Sequence, residues 1–254
     1  MSKSYREISS ELAKRIRLVM ADIDGTLTDA DNSLSAAAIE AVQCLEEQGI
    51  TVGLVSGRTL PRVELMARDL GISGPVIAEN GGVARMKMDG GLVDLGYSNH
   101  SAMKALKKLT KLFPEAIEET EDDKYRLVDV GIRVKGIKTA ELRGHLAGTA
   151  TELLDSGYML HLLPQGISKG KTLTRLLEMM GDGGLSPEKV AVFGDSTTDV
   201  SLFQFFPCSV LITNPRLPAH ETHSLTKIAN YVSDLSFGEG FARVVSHILA
   251  LRQG

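Results

Sequence analysis

Two aspartates, Asp22 and Asp24, stand one residue apart at the end of an apolar run and open the string Asp-Ile-Asp-Gly-Thr-Leu-Thr. Ligands of open α/β sheets bind at the carboxyl ends of the strands, and Gly25 allows the chain to turn there, so both carboxylates can reach one ligand. Asp22 could attack a phosphorus atom and form an aspartyl phosphate. Asp24 could protonate the leaving oxygen and then deprotonate the attacking water. A bare Asp-x-Asp is more often an ordinary turn, but the whole string after an apolar strand favours phosphoryl chemistry.

A second acidic pair, Asp195 and Asp199, follows another apolar run in the string Gly-Asp-Ser-Thr-Thr-Asp at 194–199. If both runs are strands of one parallel sheet, the two acidic pairs meet at one edge and form the oxygen-rich cluster that Mg²⁺ prefers. Asp199 also has a plainer explanation, because an acid at the start of a helix is stabilised by the helix dipole. The pattern predicts a metal site that contains Asp195 and, unless it serves only the helix start, Asp199.

A phosphate group needs hydrogen-bond donors and positive charge, and two further positions offer them. Ser56 and Gly57 end a predicted strand, so the serine hydroxyl and the backbone N–H groups that enter the next helix suit a phosphate oxygen. Lys169 begins a later helix and can neutralise both a phosphate and the Asp22 carboxylate, with Lys171 as a nearby competitor. Each position alone has a common alternative, because Ser-Gly turns are frequent and most lysines on helices are solvated.

Strand-like and helix-like segments alternate on both sides of a central insertion. Before the insertion, the pattern predicts a short surface helix within 4–16, strands at 16–22, 51–57 and 75–82, and helices at 35–48 and 60–70. After it, the pattern predicts helices at 169–180, 197–205 and 237–252 and strands at 189–195, 209–213 and 230–232. This order predicts an α/β fold, a Rossmann-like parallel sheet with helices on both faces.

The segment between these two halves has a different pattern. It predicts short strands near 82–85 and 92–95, a helix at 101–113, a solvated loop at 115–124, a strand at 126–134, a second helix at 139–154 and a strand at 158–163. We therefore expect a catalytic core formed by 1–84 and 166–254, into which a smaller α+β cap domain at 85–165 is inserted.

Composition excludes several classes of function. The chain of 254 residues has a formal net charge of −4 and lacks Trp, so the basic footprint and stacking aromatics of a nucleic-acid binder are missing. Its two cysteines, Cys44 and Cys208, form no paired motif, which suits a reducing cytosol. The N-terminal segment has no apolar signal-peptide region, and no apolar run is long enough to cross a membrane. We expect a cytoplasmic protein without nucleic-acid or membrane partners; the sequence leaves the oligomeric state open, a homo-oligomer included.

These residues form four motifs along the chain, Asp22/Asp24, Ser56, Lys169 and Asp195/Asp199. In kind and in order they resemble the four motifs of the haloacid dehalogenase (HAD) superfamily of phosphatases. The insertion resembles the C2-type cap of the Cof-like branch. A narrower resemblance, to the archaeal-type phosphoglycolate phosphatases, lies in Ala-Glu-Asn-Gly-Gly at 78–82 and in the stretches 194–204 and 231–244.

This resemblance implies a set of roles for the matching residues. Asp22 would be the nucleophile, Lys169 would contact the substrate phosphate, and the four aspartates would serve one Mg²⁺ site: Asp22, Asp24, Asp195 and Asp199. Asn214 matches a family asparagine near the phosphate site, although it is equally well explained as a loop residue before Pro215. The family often has Asn where this chain has Thr198, which reaches less far.

Other candidates are weighed against plainer explanations. In the cap, Arg126 could bind a substrate carboxylate through two parallel hydrogen bonds, and Tyr125 and His161 could face the site, but each is somewhat better explained as a sheet-surface residue. His220 and His223 could share a helix face, and without a third ligand nearby a surface helix is favoured over a zinc site.

Three functions remain open: a phosphatase for 2-phosphoglycolate, a phosphatase for a sugar phosphate or phosphoglycerate derivative, and a binding protein without turnover. The first two predict a small phosphorylated metabolite as the partner. The intact acidic pairs and Lys169 argue against the third.

Overall fold

The computed structural model describes residues 1–180 and 185–254. Its strands fall into two sheets and are, in chain order, β1 (Lys3–Ser4), β2 (Leu18–Ala21), β3 (Thr51–Val55), β4 (Val76–Ala78), β5 (Val83–Arg85), β6 (Ile117–Glu119), β7 (Val130–Val134), β8 (Thr151–Asp155), β9 (Leu160–Pro164), β10 (Val190–Gly194), β11 (Cys208–Thr213) and β12 (Tyr231–Ser236). The α-helices of the same residues are α1 (Ser10–Arg15), α2 (Ala36–Glu47), α3 (Leu60–Asp69), α4 (His100–Leu112), α5 (Thr139–Leu146), α6 (Lys169–Met179), α7 (Val200–Phe205), α8 (Ala219–Leu225) and α9 (Phe237–Gln253). Among these residues, no helix is both long and apolar enough to cross a membrane.

The larger sheet has the strand order β1-β12-β11-β10-β2-β3-β4-β5. All its pairs are parallel except that of β4 with β5. The strand β2 lies between β3 and β10. Along the chain, β3 is the next strand after β2, whereas β10 comes only after the strands of the second sheet, so the strand order reverses at β2. A crevice opens at such a reversal, outside the carboxyl ends of the strands, and Asp22 and Asp195 follow the two strands that flank it.

Alternate residues of the central strands pack on opposite faces of the larger sheet. Val19 and Ala21 belong to the core formed with α1, α2, α3 and α9, whereas Leu18 and Met20 pack with α6, α7 and α8. This period of two, with both faces apolar, is why these strands read as continuous apolar runs in the sequence.

The second sheet is antiparallel and has the order β6-β7-β9-β8. Helices α4 and α5 pack on one face of it, around Leu106, Leu109, Leu142, Ile132 and Leu162. The predicted α/β class, a parallel core sheet with a smaller α+β unit inserted, is confirmed. The boundaries at 84/85 and 165/166 stay a prediction.

Several predicted elements in the inserted segment are wrong. The helix expected at 139–154 ends at Leu146, because Gly148 turns the chain at a φ of +74°, and Thr151–Asp155 instead forms β8 against β9. The loop expected at 115–124 contains β6, in which Ile117 is buried, and a short 3-10 helix. The strand expected at 92–95 is reduced to a single bridge between Arg85 and Leu92.

The other differences are at the ends of elements. The strand expected from residue 126 begins at Val130. The helix expected within 4–16 begins at Ser10; it is preceded by a 3-10 helix at Tyr5–Glu7 and by Lys3–Ser4, which pair with the larger sheet as its edge strand β1. An edge strand of two residues is too short to leave a pattern in the sequence.

Candidate active site

Asp22 leaves β2 at the edge where β2 and β10 lie side by side. Its backbone N–H donates to the Phe193 carbonyl at 2.9 Å, so the sheet ladder extends to the aspartate itself. The chain then turns through Gly25, which has a left-handed φ of +81° and donates its N–H to Thr28 Oγ1 at 2.9 Å. A Cβ at Gly25 would collide with the Asp195 carboxylate. Glycine is therefore required by the backbone conformation and by the close approach of the second acidic loop.

The second acidic loop is held together by Asp199. Asp199 Oδ2 accepts the backbone N–H groups of Asp195 and Ser196, both at 3.1 Å, and the Ser196 hydroxyl at 3.2 Å. Ser196 and Asp199 form a capping box at the start of a short 3-10 helix that leads into α7. Asp199 thus stabilises the start of a helix, as the plainer explanation of its position predicts, but it uses only Oδ2 to do so.

The other oxygen of Asp199 binds Lys169, the first residue of α6. Lys169 Nζ donates to Asp199 Oδ1 and to Asp22 Oδ1, both at 2.7 Å, and to Thr198 Oγ1 at 3.1 Å. The lysine is buried, and Ser168 caps its helix by accepting the backbone N–H of Lys171. Burial alone would lower the pKa of Lys169, but the Asp199 and Asp22 carboxylates overcome it and raise the pKa above its ordinary value. Lys169 therefore stays an ammonium ion between the two acidic loops.

The acids of this edge fit a divalent cation. Asp22, Asp195 and Asp199 each have a carboxylate oxygen within 4.8 Å of the others. Lys169 supplies one positive charge, so two negative charges are unmatched when all three acids are ionised. Burial raises the pKa of Asp22 to about 7, although Lys169 opposes the shift, and it raises the pKa of Asp195 well above the ordinary value. Asp195 Oδ1 is buried without a hydrogen-bond partner among the described residues, as expected of an oxygen that would face a cation.

Two further predicted residues, Asp24 and Asn214, lie around the cluster of three aspartates. The Asp24 carboxylate binds Arg58, whose Nε lies 2.9 Å from Oδ2 and whose Nη2 lies 2.6 Å from Oδ1. Arg58 was not singled out from the sequence, although it directly follows the predicted Ser-Gly turn. Asn214 donates from Nδ2 to Asp195 Oδ2 and accepts the Arg216 backbone N–H at 3.0 Å, so it fixes the orientation of Asp195.

The predicted phosphate-binding turn lies beside these acids. Ser56 continues β3 by donating its N–H to the Ile77 carbonyl, and its Oγ accepts the Arg58 N–H at 3.2 Å. Gly57 has no room for a side chain, because a Cβ would meet the Asn80 amide group. The Gly57 carbonyl points toward the cap and accepts Arg126 Nη1 at 3.1 Å.

Glu79 anchors the cap to the core, a role the sequence reasoning missed. Its buried carboxylate accepts the backbone N–H groups of Leu127, Val128 and Asp129, at distances from 2.7 to 3.1 Å. Glu79 itself has a left-handed φ of +52°. Because these three amides bind Glu79, the segment before Val130 does not pair as a strand. The signal was an acid between a strand and two glycines, in the Ala-Glu-Asn-Gly-Gly string.

A second buried acid, Asp129, collects the polar side chains of the cap. It forms an ion pair with Arg126, lies 2.8 Å from His161 Nδ1, and accepts Asn80 Nδ2 at 3.3 Å. Burial would raise the pKa of Asp129, but the charges of His161 and Arg126 lower it below its ordinary value. A second acid, Asp123, is also close to Arg126, because its Oδ1 lies 3.4 Å from Arg126 Nε. Arg126 and His161 are thus buried between cap and core, not on a sheet surface.

A cleft of about 220 Å³ separates β8 and β9 of the cap from α6 and α7 of the core and reaches Lys169, Asn80 and Thr198. A larger hollow of about 310 Å³ lies between α2 and α3, and none of the four predicted active-site aspartates lines it. Tyr125 is half-exposed. His220 and His223 are exposed on α8, and the cluster able to hold a metal among the described residues consists of three aspartates.

A parallel sheet with two acidic strand ends, a buried lysine and a cap define a class of enzyme, and sequence comparison identifies the same class. The chain belongs to the haloacid dehalogenase-like hydrolase family, whose model matches residues 19–145 and 97–245.

Within that family, the chain is similar to phosphoglycolate phosphatases of archaea. It is 32% identical to that of Thermoplasma acidophilum over 232 residues, which are 91% of this chain and 98% of the relative. The phosphoglycolate phosphatase of Thermoplasma volcanium is 33% identical over the same shares of the two chains. These matches confirm the predicted resemblance and the prediction of a phosphoric monoester hydrolase.

Solved structures agree on the fold. A crystal structure of a Thermoplasma acidophilum protein superimposes with a TM-score of 0.79 at 30% identity and covers 92% of this chain and 98% of that one. A Synechocystis sucrose-phosphatase, solved with sucrose and phosphate, has a TM-score of 0.70 at 16% identity over 92% of this chain and 98% of its own, and shares the fold alone.

Proposed function

We propose that this protein hydrolyses 2-phosphoglycolate to glycolate and phosphate, with Mg²⁺ as cofactor and an aspartyl phosphate at Asp22 as intermediate. The observation that carries the proposal is the buried Lys169, which binds Asp22 and Asp199 at once in a cluster with unmatched negative charge. The archaeal relatives support the choice of substrate. The two Thermoplasma phosphoglycolate phosphatases described above match this chain over nearly its whole length.

In the first step, an Asp22 oxygen forms a bond to phosphorus while the bond from phosphorus to the ester oxygen breaks. Lys169 orients Asp22 through Oδ1, and Ser56 and the N–H groups after Gly57 bind the phosphate oxygens. Asp24 gives its proton to the departing glycolate oxygen.

In the second step, a water molecule attacks the same phosphorus, Asp24 takes up the water proton, and the Asp22 carboxylate is released with the phosphate. Asp24 has to leave at least one of its two hydrogen bonds with Arg58 to do so. Arg58 therefore holds the acid near the site until substrate arrives.

Asp22, Asp195 and Asp199 are the carboxylates that would hold Mg²⁺. Asp24, which lies in the same loop as Asp22, would join them at the ion. When bound, Mg²⁺ would neutralise negative charge on the transferred phosphoryl group. Asn214 would keep Asp195 turned toward this ion.

The first test is Mg²⁺-dependent phosphate release from 2-phosphoglycolate, 3-phosphoglycerate and several sugar phosphates. Asp22→Asn is the active-site variant, and Asp69→Asn, at an exposed position on α3, is the matched control. We expect the highest kcat/KM for 2-phosphoglycolate, loss of turnover in Asp22→Asn and on chelation of Mg²⁺, and no change in Asp69→Asn.

Each contrary outcome removes a separate part of the proposal. A preference for a sugar phosphate would keep the mechanism and refute the substrate. Unchanged turnover in Asp22→Asn would refute the nucleophile. Folded protein that releases no phosphate from any ester in the presence of Mg²⁺ would favour a binding protein.

A further inference from the structure

Three segments that are remote in sequence meet at the outer side of the site. They are the turn that contains Asn32, the turn between β8 and β9 that contains Tyr158, and the loop after β11 that contains Arg216. The Tyr158 hydroxyl donates to Asn32 Oδ1 at 2.7 Å. Arg216 Nη1 donates to the same oxygen at 2.8 Å and to the Tyr158 hydroxyl oxygen at 2.7 Å. These contacts bring one cap residue and two core residues together.

This trio adjoins the catalytic acids. Asn214 binds the Asp195 carboxylate and also accepts the Arg216 backbone N–H. Asn214 therefore links the backbone of Arg216, two residues further along the chain, to the acidic cluster. Burial raises the pKa of the Tyr158 hydroxyl, the Asp24 and Asp195 charges raise it further, and Arg216 opposes them. The Tyr158 hydroxyl therefore lies within the electrostatic reach of both acidic loops. The trio therefore lies beside the two acidic loops, at a junction of cap and core.

Arg216 differs from the other cations of the site in having no acid as its partner. Arg58 is paired with Asp24, and Lys169 with two aspartates, as described above. Arg126, the cap arginine considered from the sequence as a carboxylate ligand, is buried and paired with Asp129. Among the described residues, Arg216 contacts the neutral Asn32 and Tyr158 side chains and lies 5.5 Å from the centre of the Phe237 ring, and it forms no ion pair.

We propose that Arg216 binds the anionic group that the substrate carries at the end remote from its phosphate, and that this group is a carboxylate. The inference rests on the proposed function and names the residue that would select for the acid. Arg216 Nη1 is engaged by the trio, whereas Nε and Nη2 can form the parallel pair of hydrogen bonds that suits a carboxylate. Tyr158 and the Phe237 ring hold the guanidinium group in place, and because Tyr158 belongs to the cap, both cap and core position Arg216.

The test compares two esters of similar size, 2-phosphoglycolate and 2-hydroxyethyl phosphate, which has a neutral hydroxymethyl group in place of the carboxylate. Arg216→Gln should lower kcat/KM for 2-phosphoglycolate about 10- to 100-fold, mainly through KM, as expected for the loss of a charge-assisted hydrogen bond. The same variant should change kcat/KM for 2-hydroxyethyl phosphate by less than about 2-fold. Arg216→Lys, which keeps the charge but not the fork, should fall between Gln and wild type for 2-phosphoglycolate.

Arg68→Gln, on the exposed face of α3, is the matched control and should leave both esters unchanged. Circular dichroism should show that all variants are folded. Equal losses on both esters in Arg216→Gln would mean a structural role and overturn the proposal, as would an unchanged KM for 2-phosphoglycolate.

The panel of esters separates this inference from the proposed function. If wild type prefers another monoester with a distal carboxylate, such as 3-phosphoglycerate, and Arg216→Gln abolishes that preference, the role of Arg216 stands and phosphoglycolate as substrate falls. If wild type prefers a sugar phosphate that has no carboxylate and Arg216→Gln has no selective effect, both fall.

Discussion

Replacing Asp129 by Asn should destabilise the protein more than any comparable change of an acid in the cap. The carboxylate is fully buried and pairs with Arg126 through Oδ1 and with His161 through Oδ2. Asparagine has the same shape, so the packing is retained while the negative charge is lost. The Arg126 guanidinium, only 3% exposed, is then buried without its main counter-charge.

The size of the effect follows from this burial. Removing one partner of a buried ion pair typically costs about 3–5 kcal/mol. Asp123 Oδ1 remains 3.4 Å from Arg126 Nε and compensates part of the charge, so we expect about 3 kcal/mol for Asp129→Asn. In a chain of this size, that loss corresponds to a fall of roughly 6–12 °C in Tm. The companion variant Asp122→Asn breaks a pair with Arg62, which is 60% exposed, and should cost less than about 1 kcal/mol.

Urea denaturation followed by circular dichroism would measure both free energies of unfolding at pH 7. The double variant Asp129→Asn/Arg126→Gln removes both charges and should be more stable than the sum of the two single variants predicts, by about 1–3 kcal/mol. A loss in Asp129→Asn no larger than in Asp122→Asn, or strict additivity in the double variant, would refute the claim that a buried charge pair holds the cap in place.

The pH dependence of the same variants gives an independent check. Because the pKa of Asp129 in the folded protein is below its ordinary value of 3.8, its stabilising contribution is complete above that value and is lost as the pH falls through the lower folded pKa. The difference in stability between wild type and Asp129→Asn should therefore shrink as the pH falls below about pH 4. A difference that grows over that acidic range would contradict the assigned direction.

Three further predictions test other parts of the structure. Gly25→Ala should lower kcat/KM about 100-fold, because a Cβ there collides with the acidic cluster. Gly49 has a φ of +72° but lies in open space, so Gly49→Ala should cost about 1–2 kcal/mol of stability and leave the kinetics unchanged. Similar kinetics for the two variants would contradict the geometry. Thr198→Val removes one of the three acceptors of the buried lysine and should lower kcat about 2- to 10-fold, with Thr198→Ser close to wild type in steady-state assays. A thiol reagent should label the exposed Cys44 in the native protein and Cys208 only after denaturation, because Cys208 is buried and its pKa is raised to about 12. Rapid labelling of both thiols in the native protein would contradict the burial of Cys208.

The acidic edge of the core could be predicted because its logic is local. Each of Asp22 and Asp195 follows a continuous apolar strand, and parallel strands bring their carboxyl ends to the same edge whatever the rest of the chain does. Lys169 could also be recognised from a local pattern, because it is the first residue of a helix that follows a turn. The roles of these residues in catalysis stay a prediction until the variants above are assayed.

The cap resisted prediction because its determinants are not local. Leu153 and Leu154 fit a helical period as well as a buried strand, and only the pairing of β8 with β9 decides between the two. Asp129 stands in the alternating strand predicted at 126–134, where an acid is expected to face solvent, and its partners Arg126 and His161 come together only in the fold. Glu79 binds amides almost fifty residues away, a contact for which the sequence carries no periodic signal.

The two buried charge clusters, one at the catalytic edge and one in the cap, are connected through the phosphate-binding turn. Arg126 pairs with Asp129 in the cap and also donates to the carbonyl of Gly57, the residue after Ser56. The N–H of the same peptide group belongs to Arg58 and donates to Ser56 Oγ, so the contact from the cap fixes the peptide that orients the predicted phosphate-binding hydroxyl. We therefore expect a change that loosens the contact of the cap with Gly57 to weaken phosphate binding even when every catalytic side chain is intact.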